Sequence, residues 1–158
     1  VIENNMKILL EAGFNFHISC TTSIFNVLHI PELVDRMLEI GLPYYCIQLN
    51  NVLTNPWYYH INILPDELKD EVKRRYKSHL DSLPKNVSDE LRPKYESIFN
   101  FMDEEPLDDV DKLRRGFKQM TEKLDKGRNE SFVKSVPELA DWYNSIPDDK
   151  EIDLQHLV

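Results

Sequence analysis

Apolar and polar side chains alternate along two segments of the chain. From residue 14 to residue 24, one side carries Phe14, Phe16, Ile18, Cys20, Thr22 and Ile24, and the other carries Asn15, His17, Ser19, Thr21 and Ser23. Further along, Tyr45, Ile47 and Leu49 alternate with Cys46, Gln48 and Asn50. A period of two is that of a β-strand, so the pattern predicts two strands, each with one polar face.

A short helix is predicted between the two strands. Pro31 suits its first turn, and Gly41 can adopt the left-handed conformation that ends a helix. Strand, helix and strand then form a βαβ unit with parallel strands. Buried strands of an open doubly wound sheet are apolar on both faces, whereas a partial barrel can keep polar residues inside. The two polar strand faces therefore favour a partial barrel around a ligand.

The pattern becomes helical after Asn55-Pro56. Pro65 opens a first helix, and apolar residues recur at helical spacing over residues 68–76, 91–102, 110–124 and 132–143. We expect Pro93 to lie in the first turn of the second helix or to kink it, and Pro137 to break the last one. The sequence thus predicts an α/β segment over residues 1–65 and an all-helical segment over residues 66–158.

Composition and charge narrow the classes of function. The 158 residues carry a net charge of −9, which disfavours binding to nucleic acid. The sequence has no run of 18 apolar residues and no signal-peptide pattern, so we predict neither membrane insertion nor export. Two cysteines suit a reducing compartment, which predicts a cytoplasmic protein. The helical pattern already running at Met6 suggests that an upstream part is missing.

Candidate chemistry concentrates on the polar faces of the strands. If the strands are neighbours, Ser19, Thr21, Gln48 and Asn50 point into one shared space, together with His17. Such groups need hydrogen-bond partners, which a polar ligand would supply in a cavity. The alternative is that they face water on an open sheet or satisfy one another.

Other reactive residues give weaker signals. His17 and Ser19 share a strand face, but no orienting carboxylate is evident for nucleophilic catalysis. The five histidines lack the spacing of a metal site, and we predict no metal ligand in this chain. Cys20 is expected on the apolar face of its strand and Cys46 on the polar side. The aromatic run from Trp57 to His60 either contacts a ligand or packs against the following helix.

Three segments carry a family resemblance: Phe16 to Val27, Ile30-Pro31-Glu32-Leu33, and Tyr45 to Val52. In order and in composition, they resemble the last strands of the partial barrel of radical SAM proteins with a twitch domain. The segment Ile63-Leu64-Pro65 and the stretches 124–132 and 136–139 resemble the later part of the same family. The resemblance covers most of residues 1–143.

The resemblance implies a fold and an activity for a whole protein of which this chain is the C-terminal part. Residues 1–65 would be the last βα units of a partial (βα)6 TIM-like barrel, and residues 66–158 its helical tail. The whole enzyme would reductively cleave S-adenosylmethionine (SAM) with a [4Fe-4S] cluster to form a 5′-deoxyadenosyl radical. Its partner would be the missing N-terminal part of the barrel, and its substrate is not specified by the sequence.

By the same resemblance, Ser19 and Thr21 would approach SAM or substrate. Gln48, Asn50 and the backbone near Val52 would line the lumen or the adenine pocket. The CxxxCxxC motif that holds the family's cluster is absent from this chain, and residues 66–158 contain no cysteine for an auxiliary cluster. We therefore expect this chain alone to be inactive.

Two other hypotheses remain open from the sequence. The chain could be a non-enzymatic interaction module whose helical half binds a partner through exposed apolar stripes. It could also be an unrelated α/β enzyme that uses His17 and nearby polar groups as acid and base, which requires a titratable pair in one cleft.

Overall fold

The computed structural model describes residues 2–148, 152 and 153. Within them the fold is mixed α/β and mostly helical, with a two-stranded parallel sheet. The strands are β1 (Ile18–Thr22) and β2 (Ile47–Val52). The helices are α1 (Ile2–Glu11), α2 (Ile30–Ile40), α3 (Asp66–Ser82), α4 (Lys85–Asp103), α5 (Val110–Arg128), α6 (Phe132–Ser135) and α7 (Ala140–Ser145). No described helix is long and apolar enough to cross a membrane.

The predicted βαβ unit is confirmed. The two strands pair in parallel and α2 connects them. Gly41 ends α2 in the left-handed conformation at a φ of 97°, and its N–H donates to the carbonyl of Leu38. Val34, Met37 and Ile40 of α2 are buried, so this helix supplies part of the core.

β1 is shorter than the alternating pattern that predicted it, and β2 begins two residues later than its own pattern. The side chain of Asn26 ends β1, because its Oδ1 accepts from the N–H of Ser23 at 2.8 Å and its Nδ2 donates to the carbonyl of Thr21 at 3.0 Å. Before β2, Tyr44–Cys46 form a 3-10 turn. The expectation that Cys46 lies on the polar strand face was wrong, since this turn precedes the strand and the side chain is 7% exposed.

In residues 66–158, helices begin and end close to the positions that the sequence predicted, with one difference at Pro93. α3 begins directly after Pro65, and Asp109 caps α5 by accepting from the N–H of Lys112 at 2.8 Å. Pro93 lies inside α4 rather than in its first turn, because the helix already begins at Lys85. Pro137 separates α6 from α7, as the pattern predicted.

Hydrogen bonds from α3, α4 and α5 fix the helical half to the main chain of the first 65 residues. The hydroxyl of Tyr76 donates to the carbonyl of Val27 at 2.7 Å. The Lys94 ammonium donates to the carbonyl of Ile47 at 2.7 Å, at the start of β2. Buried residues from both sides of residue 65 belong to one apolar cluster. The domain boundary at residue 65 therefore stays a prediction. The residues on either side of it share one apolar core.

A buried histidine connects three helices. His79 of α3 places its Nε2 2.9 Å from Oδ1 of Asp35 in α2, and its Nδ1 2.8 Å from the hydroxyl of Tyr95 in α4. In the neutral tautomer with a proton on Nε2, the ring donates to Asp35 and accepts from Tyr95. This chain of polar groups sets the relative positions of the three helices.

Replacing Tyr95 by Phe removes the hydroxyl and leaves Nδ1 of His79 buried without that partner. We expect the free energy of unfolding to fall by about 1–3 kcal/mol, measured by urea denaturation. Tyr45→Phe is the matched control, because the Tyr45 side chain is 62% exposed; it should change stability by no more than about 0.5 kcal/mol. Equal stability of Tyr95→Phe and the wild type would contradict this account.

Candidate functional site

The polar side chains predicted to share a face are brought together and left uncovered. Ser19 and Thr21 of β1 and Gln48 and Asn50 of β2 are all exposed. Ser19 lies opposite Gln48 in the strand register. On the other side of the same strands, Ile47, Leu49 and Val52 are at most 7% exposed and α4 packs against β2. The sheet therefore has one buried apolar face and one bare polar face.

An irregularity in the register adds a residue to this face. Thr21 pairs with Asn51 instead of Asn50, so β2 has one more residue than β1 between the two pairs. The side chain of Asn51 donates from Nδ2 to Oγ1 of Thr21 at 2.8 Å. The alternating pattern did not indicate a role for Asn51. Two consecutive asparagines, which are disfavoured in strands, were the available signal for the irregularity.

Val52 differs from Gln48 and Asn50, because its side chain does not lie on the polar face. Its side chain is 7% exposed and belongs to the apolar core. The next residue, Leu53, donates its N–H to the carbonyl of Thr22 at 2.8 Å, which continues the pairing of the strands. At this position only the main chain is available to a ligand on the polar face.

His17 lies at the start of the polar face and is exposed. Within the described residues no hydrogen bond joins its ring to Ser19 or to a carboxylate. The titratable pair that acid and base catalysis needs is thus not formed around His17. The geometry therefore gives no support to the hypothesis of an unrelated α/β enzyme that uses His17 as acid and base.

The two cysteines do not form a metal site. Cys20 is half-buried, and burial raises the pKa of its thiol, which disfavours the thiolate that binds metals. Cys46 is buried in the 3-10 turn. Among the described residues, no three His, Cys, Asp or Glu side chains lie close enough together to hold a metal ion; His156 falls outside them. These donors do not fit a [4Fe-4S] cluster, which takes thiolate ligands.

The aromatic run after β2 packs into the core. Tyr58 is 4% exposed, and the Tyr59 ring lies 5.2 Å from the ring of Phe25 between centroids. Burial raises the pKa of Tyr59 to about 12. His60 is 6% exposed, and its Nδ1 accepts from the N–H of Asn62 at 3.1 Å. Packing accounts for Tyr58 and His60, whereas the hydroxyl of Tyr59 has no partner among the described residues.

Comparison of the chain with models of known protein families, with curated proteins and with solved structures found no match. The geometry of the polar face and the resemblance in the sequence are therefore the grounds for assigning a function.

The buried His60 predicts a dependence of stability on pH. Burial lowers the pKa of this histidine below its ordinary value of 6.5. A lowered pKa means that the folded state disfavours the proton, so stability is full above about pH 6.5 and falls as the pH drops from that value through the lower pKa of the folded protein. We expect a smaller loss between pH 7.5 and pH 5.5 in His60→Asn, which keeps an acceptor near the position of Nδ1.

Urea midpoints at the two pH values measure this loss. His17→Asn is the matched control, because it removes an exposed ring and should lose as much stability as the wild type. The assignment to His60 is wrong when His60→Asn and the wild type lose stability equally.

Proposed function

We propose that this chain is the C-terminal part of a radical SAM enzyme, with β1, α2 and β2 forming the last βα units of a partial (βα)6 barrel. The single observation that carries the proposal is the two-sided character of the parallel sheet. Its apolar face is buried, with α4 packed on β2, and its polar face is bare. In a barrel the helices lie outside and the opposite strand face lines the lumen.

The open edges of the two strands also support the barrel proposal. Within the described residues, β1 and β2 pair only with each other, so each strand has one edge without a neighbouring strand. Unpaired edges are a liability that proteins usually cover or close. Additional strands from the N-terminal part of the barrel would pair with such an edge and complete the wall.

The exposed apolar surface of α1 also supports the proposal that another part of the protein packs against this helix. Ile2, Ile8 and Leu9 of this helix are 77%, 54% and 41% exposed, and Phe14 just after it is 62% exposed. Grouped apolar side chains of this kind mark surfaces that another part of a protein covers. In the proposed enzyme, the preceding βα unit of the barrel covers them.

The donor set on the polar face fits SAM better than it fits the cluster. Hydroxyls of Ser19 and Thr21 and side-chain amides of Gln48 and Asn50 can both donate and accept, as ribose hydroxyls, an amino acid group and an adenine ring require. When bound beside a reduced cluster, SAM supplies a 5′-deoxyadenosyl radical. This chain's residues would orient SAM, while the cluster thiolates must come from the N-terminal part. Such an enzyme would be cytoplasmic.

The interaction-module hypothesis is the second candidate, and the observation that favours it is the exposed Leu107, whose side chain lies within residues 66–158 and is 70% exposed. It requires residues 66–158 to fold alone. However, Tyr76 and Lys94 donate to carbonyls of Val27 and Ile47, and Arg114 donates to the carbonyl of Ile63. Removing residues 1–65 would take away these acceptors and half of the core, which favours the barrel proposal.

Substitutions on the polar face should weaken SAM binding in the enzyme expressed from its complete reading frame. Gln48→Ala and Ser19→Ala each remove one hydrogen-bonding group, so we expect the KM for SAM to rise by about five- to tenfold. Anaerobic formation of 5′-deoxyadenosine measures this. Asn100→Ala, at an exposed position of α4, is the control and should leave the KM unchanged. No 5′-deoxyadenosine from the wild type, or the same KM in all variants, would contradict the proposal.

A further inference from the structure

A cavity of about 450 Å³ lies at the carboxyl ends of the two strands. Its lining includes Phe25, just after β1, and Leu53, which follows β2 directly, together with residues of α5 and α6. The volume is typical of small-molecule pockets. Ligands of α/β folds commonly bind outside the carboxyl ends of parallel strands. None of the polar-face residues Ser19, Thr21, Gln48 and Asn50 lines this cavity.

Aromatic rings form its apolar wall. The Phe25 ring lies 5.2 Å from that of Tyr59 and 5.7 Å from that of Phe132, both in edge-to-face geometry. Leu124 adds an aliphatic surface to the lining. Such a wall suits a flat ring, since aromatic pairs prefer offset or edge-to-face contact.

Two hydroxyl groups in the lining lack partners. Thr121 is 1% exposed, and neither its Oγ1 nor the hydroxyl of Tyr59 has a hydrogen-bond partner among the described residues. A threonine inside a helix can satisfy its hydroxyl with a carbonyl one turn earlier, but Thr121 of α5 does not. A buried polar group without a partner costs free energy. A ligand that places a hydrogen-bonding group beside the hydroxyls of Thr121 and Tyr59 therefore gains binding free energy by pairing with them.

Charged groups follow on the same side of α5. Thr121, Asp125 and Arg128 are spaced by four and three residues, which places them on one helix face. Arg128 follows Thr121 by seven positions, which is about 10 Å along the helix axis. Asp125 is held in place because its Oδ2 accepts from the N–H of Phe132 at 2.7 Å. A carboxylate and a guanidinium one turn apart match the ammonium and carboxylate of an α-amino acid.

We propose that this cavity binds a free α-amino acid with a hydroxylated aromatic side chain. The ring packs against the wall that Phe25, Tyr59 and Phe132 form together, and its hydroxyl pairs with the hydroxyls of Thr121 and Tyr59. The ammonium group contacts Asp125, and the carboxylate contacts Arg128. A hydroxylated phenyl side chain with its α-carbon group spans a length comparable to the distance from Thr121 to Arg128. The site depends on neither a barrel nor SAM, so this proposal and the proposed function can fail separately.

Calorimetric titration of this chain with L-tyrosine tests the proposal. We expect saturable binding of one L-tyrosine per chain and binding of L-phenylalanine that is about five- to tenfold weaker, because the phenylalanine ring leaves the buried hydroxyls unpaired. Tyramine lacks the carboxylate and 4-hydroxyphenylacetate lacks the ammonium, so both should also bind about five- to tenfold more weakly than L-tyrosine. No saturable binding of L-tyrosine, or equal binding of the four compounds, would overturn the proposal.

Two substitutions locate the site. Thr121→Val keeps the shape of the side chain and should bring L-tyrosine and L-phenylalanine within about twofold of each other by removing one hydroxyl partner. Arg128→Gln, at an exposed position, should weaken binding of L-tyrosine about tenfold but leave binding of tyramine unchanged. Arg92→Gln on α4 is the matched control and should bind as the wild type does. Wild-type selectivity in both Thr121→Val and Arg128→Gln would place the ligand elsewhere.

Discussion

Burial of the β1–β2 sheet on one face only determines where the following helices pack and which strand side chains stay exposed. Two parallel strands are not stable alone, and here the apolar side chains of Ile47 and Leu49 are fully covered. The cover over β2 comes from α4, which follows both strands in sequence. Because all of this cover lies on one side, the hydroxyl and amide groups of the other side stay exposed. The same arrangement that stabilises the sheet therefore creates the candidate site.

Polar contacts keep the helical cover in place. His79 connects α2, α3 and α4 through Asp35 and Tyr95, and Tyr76 and Lys94 bind main-chain carbonyls beside the strands. His79, Tyr76 and Tyr95 are buried and Lys94 is half-buried, so these groups have lost water and depend on their protein partners. The positions of the helices are thus specified by a few directional bonds in addition to apolar packing. Residues of α5 and α6 line the cavity of about 450 Å³ at the carboxyl ends of the two strands.

Local signals in the sequence predicted the elements well, and long-range contacts explain what they missed. Alternation gave both strands, and Pro31 with Gly41 marked α2, because these effects act within a few residues. The end of β1 depends on the side chain of Asn26, which no periodicity shows. His79 meets Asp35 across 44 positions of the chain, and the pairing of Thr21 with Asn51 depends on a register shift. The polar face could be predicted from its pattern, whereas the partners of its residues could not.

In the proposed enzyme, the bare polar face lines the lumen of a barrel whose remaining strands belong to the same protein. The DNA sequence upstream of the Val1 codon, in the same reading frame, tests this most directly. We expect further βα units there and a CxxxCxxC motif, because Cys20 and Cys46 cannot hold the cluster. A start codon immediately before the Val1 codon would contradict this proposal, and the interaction-module hypothesis would then be the leading one.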